Sequence, residues 1–315
     1  MRFLSRALTA LAAGLVLAAG AIWVYGGSYG FHALLQHRGT FWVDVKTDDP
    51  RLSPSMRLAL QDPPPASAGG FDWREVSPGF EVGELPVIVG GSEVDRVMLA
   101  RVDPARFRFE VRNASAGDKD LDQWMTQLGA ALVINGSYFS HHGTPVTPVL
   151  SAGKLLGPKD YDARAGAFVA SASFVGIRDL AYEDWQTAFR GADDAVVSFP
   201  LLIAADGRHV AASRWLANRS FVGQDGNGRI VLGTTSDAFF SLDRLAEFLR
   251  QAPLGLILAL NLDGGPVACQ GIALNGFDRR IYGKWESQVH GDDAKLLSWP
   301  YGNVAMPIVL AVFPR

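Results

Sequence analysis

In "RFRFEVR", Phe107, Phe109 and Val111 alternate with arginine and glutamate. A period of two predicts a half-buried strand. The preceding run "VDRVMLARVDP" predicts another, with Asp103-Pro104 as the turn between them. In "DKDLDQWMTQLG" the period changes: Leu121, Trp124, Met125 and Leu128 fall at i, i+3, i+4 and i+7, one face of a helix. Asp118 or Asp120 caps that helix and Gly129 ends it. "AALVI" then reads as a short buried strand stopping at Asn135. The same order returns in "SLDRLAEFLRQAPLG", where Leu242, Leu245, Ala246 and Leu249 share a face behind Ser241 as cap. The strand "LILAL" follows, and then "NLDGG". Two helix-strand units thus each deliver an asparagine at the C-terminal end of a strand, where sheets with helices usually bind their ligands. Between the units, "AADGRH" and "QDGNGR" predict hairpin turns, because Asp-Gly and Asn-Gly accept positive φ. The pattern predicts an α+β fold: a mixed, largely antiparallel sheet packed with helices, in a single globular domain after an N-terminal apolar helix.

The apolar helix is expected from "ALTALAAGLVLAAGAIWVY", residues 7–25, uncharged and preceded by Arg2 and Arg6. About 20 apolar residues span a bilayer, and the flanking arginines keep the N-terminus inside while the rest is exported. Trp23 and Tyr25 fall where an interfacial aromatic belt would lie. The alternative is a cleaved signal peptide with Ala19-Gly20-Ala21 as its site. Either way the expected location is extracytoplasmic, periplasmic or on the cell-surface side. Residues 1–25 form the anchor or signal, 26–70 a juxtamembrane segment ending in the Pro/Ala/Gly linker "QDPPPASAGG", and 71–315 the domain.

Of 315 residues, 48% are hydrophobic, enough for a sizeable core in such a domain. A net charge of -3 without a basic stripe argues against a nucleic-acid partner. The single cysteine, Cys269, excludes an intramolecular disulfide and reads as a small, half-buried residue rather than a nucleophile. His141 and His142 are adjacent, so on one strand they point to opposite faces and make a poor metal pair. No cofactor is indicated; a structural divalent cation is conceivable, but no ligand set announces one.

Candidate chemistry collects at strand ends. Asp263 lies just past a buried run, where partial desolvation raises a carboxylate's pKa toward a value useful for proton transfer. Gly264 and Gly265 either form an anion nest from their backbone N–H groups or serve a strand-ending turn. Asp237, ending "LGTTSD", is the expected partner carboxylate, since glycoside cleavage requires two carboxylates flanking one bond. Arg219 offers a bidentate cation suited to phosphate, or is an ordinary solvated arginine. Asn135 can offer a donor and an acceptor to a sugar hydroxyl. Tyr138 and Phe139 could stack on a sugar face or belong to the core.

Taken in order, "VDP…RFRFEV", "VINGSYF", "SFPLLIAADGR", "NRSFVGQDGNGRIVLGTTSD", "LAEFL" and "LALNLDGGP" resemble the phosphodiester glycosidase domain family, over roughly residues 71–315. That resemblance implies a mixed α+β fold and hydrolysis of a sugar-1-phosphodiester, with a phosphate-linked glycan or glycolipid of the envelope or an exopolysaccharide as substrate. It carries Asn135, Gly136, Arg219, Asp237, Asn261, Asp263, Gly264 and Gly265 into the site. Proton transfer falls to Asp263 and Asp237. Arg219 and the Gly264 and Gly265 amides would hold the phosphate, and Asn135 and Asn261 the sugar hydroxyls. The chain departs from the family where Pro266 leads into Val267, Ala268 and Cys269 instead of a serine, and where Ser137 stands in place of a second glycine. Those departures leave open a catalytically weak or inactive glycan-binding protein of the same fold.

Overall fold

The computed structural model describes residues 11–21, 42–114, 118–140, 142–161, 165–298 and 304–315. Four sheets make up most of it, and every described ladder is antiparallel. The expected mixed sheet is therefore corrected to several antiparallel ones. The largest sheet runs, in spatial order, Leu201–Ile203, Leu256–Asn261, Ser220–Asp225, Ile230–Thr235, Ser92–Val102, Phe80–Val89 and Ser67–Ala68, with Arg74–Ser77 also paired to Phe80–Val89.

Both faces of this sheet are covered, which is why Ile230–Thr235 is buried throughout. Leu85, Val97, Leu99 and Phe221 point to one side, onto the helices Pro54–Ala59 and Leu242–Gln251 and a four-stranded sheet that includes Trp215–Ala217 and Trp285–His290. Phe80, Val82, Ala100 and Leu232 point to the other, onto the strands Phe107–Asn113, Leu132–Asn135 and Ile308–Pro314. The alternation of strand side chains thus feeds two cores at once. A third cluster sits behind Leu132–Asn135, where Leu121, Trp124 and Met125 of the helix Leu121–Leu128 pack on Val133 and Val309.

Both helix-strand units occur as the periodicity predicts. Asp120 caps the first in a capping box and Gly129 ends it at φ 56°. Ser241 is the N-cap residue of the second, without a side-chain cap bond. "QDGNGR" is the turn of the hairpin Ser220–Asp225 to Ile230–Thr235. "AADGRH" is not a hairpin: Leu201–Ile203 and the next strand, Trp215–Ala217, lie in different sheets. Likewise Ser92–Val102 and Phe107–Asn113 join different sheets across the Asp103-Pro104 turn.

The segment before the linker is not peripheral. Trp42–Lys46 pairs with Asp293–Ser298, and Leu52, Met56, Ala59 and Leu60 are buried against the main sheet. Met56 and Ala59 share one face of the helix Pro54–Ala59, and with Leu52 and Leu60 at its two ends they tie residues 42–60 to the domain they were expected only to precede. Of the apolar N-terminal segment, residues 11–21 are helical, while 7–10 and 22–25 lie outside the described residues, with Trp23 and Tyr25. Among the described residues, no helix is long and apolar enough to cross a membrane.

Candidate active site

The strand ends at Asn135 and Asn261 belong to different sheets, yet the peptide of Asp263 joins them. Its N–H donates to Gly136 O at 3.0 Å. Its carbonyl accepts from Asn135 Nδ2 at 2.8 Å. Asn135 Oδ1 in turn accepts the Cys269 N–H at 3.1 Å. Asn135 is buried and both ends of its amide go to loop backbone, so the expected contact with a sugar hydroxyl gives way to a structural role. Gly136 leaves no room for more: a Cβ there would lie 2.6 Å from Ile308 Cγ2. Together Asn135 and Gly136 clamp the loop that carries Asp263.

Asp263 is half-buried, and one carboxylate oxygen accepts the Gly264 N–H at 2.8 Å. Burial pushes its pKa up to about 7 and the Glu286 carboxylate adds to the rise, while the Gly264 N–H and Arg219 oppose it. Glu286 sits on Trp285–His290, with Oε1 accepting the Trp215 indole N–H at 2.7 Å. Burial raises its pKa too, against the Trp215 bond and the Arg219 charge.

Arg219 is buried, and burial lowers its pKa, while Tyr138, Glu286 and Asp263 pull it back up. Its Nε donates to Phe240 O at 3.2 Å and its Nη2 to Trp215 O, and among the described residues it forms no direct ion pair with Asp263 or Glu286. The site therefore sets a cation near two carboxylates whose charges act on it without direct contact; the region around them is called the hollow.

Tyr138 closes one side. Its ring stacks on Phe199 with centroids 4.5 Å apart, and its hydroxyl donates to Phe199 O at 3.0 Å and accepts from Asn261 Nδ2 at 2.7 Å. Burial and the Asp263 charge push the phenol pKa upward. Asn261 also donates to Phe199 O at 3.0 Å, and among the described residues its buried Oδ1 has no donor.

Two expectations are corrected here. The Gly264 and Gly265 amides do not form an open anion nest: the first bonds the Asp263 side chain and the second donates to Asn218 O at 2.9 Å. The glycines instead allow close approach. A Cβ on Gly264 would lie 3.0 Å from Asn218 O and 3.3 Å from Arg219 Nη1, and one on Gly265, at φ 69°, would lie 2.6 Å from Glu286 Oε2.

The other correction is Asp237, which is not the partner of Asp263. It accepts from Ser53 Oγ at 2.8 Å and from the Ala238 N–H at 2.7 Å, and its own N–H donates to Asp95 at 2.8 Å. Its carboxylate is used to fasten the helix Pro54–Ala59, and Glu286 takes the place expected of it beside Asp263.

Glu286, Trp215 and Asn218 were not legible as site residues. Asn218 is the hub: its Oδ1 accepts the Lys284 and Trp285 N–H groups, and its carbonyl accepts the Gly265 N–H. In "WESQVH" alternation alone separates Glu286 from Trp285, Ser287 and Val289, without indicating what it faces. Of the departures, Val267 and Cys269 pack into the cluster behind the strand Leu132–Asn135. Cys269 packs with Trp124 and Val133, and burial pushes its thiol up to about 12. Phe139 packs against the core, His142 is exposed, and His141 lies outside the described residues. Among the described residues, no group of three His, Cys, Asp or Glu side chains could hold a metal.

The glycine floor makes a stability prediction with an internal control. Gly276→Ala, at φ 79° with open space around it, is expected to lose about 1–2 kcal/mol, the left-handed backbone cost alone. Gly265→Ala carries the same cost plus the overlap with Glu286, about 1–3 kcal/mol more. Urea unfolding of both variants checks the difference; equal losses would remove the contact between loop and glutamate.

A family model described as phosphodiester glycosidase matches residues 128–269. Over that segment the chain is similar to the phosphodiester glycosidase family. The match supports a hydrolase, a phosphodiester glycosidase, and it contains every residue of the hollow named above except Glu286. Among solved structures, the chain is similar to the zebrafish N-acetylglucosamine-1-phosphodiester α-N-acetylglucosaminidase catalytic domain, auto-inhibited by its pro-peptide. The identity is 16%, the TM-score 0.52, and the alignment covers 84% of this chain and 95% of that one. At that identity the likeness concerns the fold. A hypothetical protein from Synechocystis aligns at 17% identity and TM-score 0.49, over 79% of this chain and 64% of that one. No curated protein matches the chain.

Proposed function

We propose that this phosphodiester glycosidase domain hydrolyses a sugar-1-phosphodiester, adding water across the bond between the anomeric carbon and the phosphate oxygen. The products are a free sugar and a phosphate monoester on the former partner. The observation that carries this reading is Arg219, buried and facing Asp263 and Glu286 without direct pairing. A phosphate leaving group already bears negative charge and departs without needing a proton, so it requires a fixed cation more than an acid. The two carboxylates cannot both ionise cheaply at close quarters, so near neutral pH one stays protonated. The ionised one attacks the anomeric carbon or activates water, and the protonated one leaves the phosphate free of repulsion. Phe199, exposed beside Tyr138, is a face on which a sugar ring can stack.

The substrate is read as a phosphate-linked glycan or glycolipid of an envelope or exopolysaccharide. This follows from the apolar, arginine-preceded N-terminus, which favours an extracytoplasmic domain held at the inner membrane by residues 7–25 or released after cleavage. Of the departures behind the glycan-binding alternative, Val267 and Cys269 pack with the cluster around Trp124 and Val133, and the Ser137 hydroxyl is engaged with Thr147 Oγ1 at 2.7 Å.

The test is incubation of the full chain with a synthetic sugar-1-phosphodiester in ¹⁸O-water, following free sugar and phosphate monoester. Label in the anomeric hydroxyl is the expected result. Label in the phosphate would mean cleavage of the other bond, and no release at all would return the protein to the glycan-binding class.

A further inference from the structure

Trp215 touches both kinds of charge in the hollow. Its indole N–H donates to Glu286 Oε1 at 2.7 Å, and its backbone carbonyl accepts from Arg219 Nη2. Yet its side chain is not anchored in a core: the residue is 39% exposed. An aromatic side chain half in water is free to change rotamer unless something else holds it. Besides the bond to Glu286, it is held among the described residues by Trp42, whose ring meets the Trp215 ring edge-on, with centroids 6.2 Å apart and planes at 81°. Trp42 opens the strand Trp42–Lys46, which pairs with Asp293–Ser298 beside the strand of Glu286. The sequence thus reaches the hollow from a segment far from the matched residues 128–269.

We propose that Trp215 is a positioning residue that fixes Glu286 toward Asp263 through its indole N–H, with Trp42 of the N-terminal strand fixing the indole. The inference rests on reading the hollow as a hydrolase site. Trp215 donates to a carboxylate and so favours its ionised form. The other groups around Glu286 are Asp263 on the glycine loop, Arg219, and the Tyr138 phenol. On the adjoining strands its register partners are Ala217 and Leu297, which carry no charge, and Lys284 is the nearest basic residue on its own segment. Without the indole donor Glu286 keeps its proton to higher pH, and the proton shared with Asp263 moves onto it. The arrangement also explains why an exposed tryptophan stands at this edge, where burial alone would stabilise it little.

The test uses Trp215→Phe, which keeps a ring and removes the donor, and Trp215→His, which restores a ring N–H. Trp215→Phe is expected to lower kcat about 10- to 100-fold, the range for removing a group that orients a catalytic one, with KM little changed. The acid limb of its pH profile moves upward, and Trp215→His recovers part of both changes. Trp42→Ala is expected to reproduce the kcat loss in weaker form; an unchanged kcat there overturns the role given to the N-terminal strand. A second measurement needs no turnover. In ¹H–¹⁵N spectra of the full chain the Trp215 indole resonance should move with pH as Glu286 titrates, and Glu286→Gln should abolish that movement. Identical titration in Glu286→Gln, or a Trp215→Phe profile superimposable on wild type, overturns the proposal. A wild-type chain that releases no sugar refutes the hydrolase reading instead, and the indole titration still reports on the bond.

Discussion

Asp263→Asn is expected to lower kcat on a sugar-1-phosphodiester by about 10³-fold or more, and Glu286→Gln by about 10²- to 10⁴-fold. The double variant should be little worse than the poorer single one, because groups that act as a unit fail together. The wild-type pH profile should be bell-shaped, since the pair works with one proton between its members, and each single variant should lose one limb. Steady-state kinetics across pH 4–9 checks this, and fully additive losses would mean the two carboxylates act independently. The same proton sets a stability signature. Burial pushes the Asp263 carboxyl in the folded chain up to about 7, above the usual carboxylate value of about 3.9 that applies when unfolded. The folded state therefore holds a proton that the unfolded state releases, so this contribution is fully present below about pH 4 and is lost as pH rises through about 7. Asp95, raised by burial to about 7, adds in the same direction. Thermal unfolding of Asp263→Asn should consequently fall less between pH 4 and pH 8 than that of wild type. Equal slopes would place the titrating carboxylate elsewhere.

This coupling also marks how far the sequence could be read. Periodicity carried the two helix-strand units, because Leu121, Trp124 and Met125, or Leu245, Ala246 and Leu249, leave a one-sided stripe that only a helix can bury. The strand ends at Asn135 and Asn261 follow from those units, and with them the place of Asp263. Partner choice is different in kind. Asp237 and Glu286 both lie at or near strand ends with similar local patterns, and what separates them is long-range pairing. Ser53, 184 residues away, takes Asp237, while Asn218 draws the strand of Glu286 onto the glycine loop. The roles of Asn135, Gly264 and Gly265 are ambiguous in sequence for a related reason: a polar side chain or free amide at a strand end looks alike whether it awaits a ligand or holds a loop. Residues 42–60 escaped because their helix is only six residues long, too short for its stripe to stand out from the mixed composition around it.

Arg219→Lys is expected to lower kcat/KM by about 10²- to 10³-fold, the loss seen when one preorganised donor to developing charge is removed. Lysine retains the charge, so the size of the effect follows from geometry. Arg219 spends Nε on Phe240 O and Nη2 on Trp215 O, which fixes the plane of the guanidinium. An ammonium carries its three donors on one atom, so one that met both carbonyls would leave a single N–H for the phosphate and no fixed plane to present it. The product supplies an independent measure. A phosphate monoester should bind wild type more weakly as pH rises through about 7, because the Asp263–Glu286 pair then loses its shared proton and repels the anion. In Arg219→Lys binding should be weak at every pH, and in Asp263→Asn the pH dependence should flatten while affinity at high pH improves. Calorimetric titration at pH 5.5, 7 and 8.5 separates these outcomes. Phosphate monoester affinity that ignores both pH and Arg219 would show that the anion binds outside the hollow, and the buried arginine would then be a device of the fold alone.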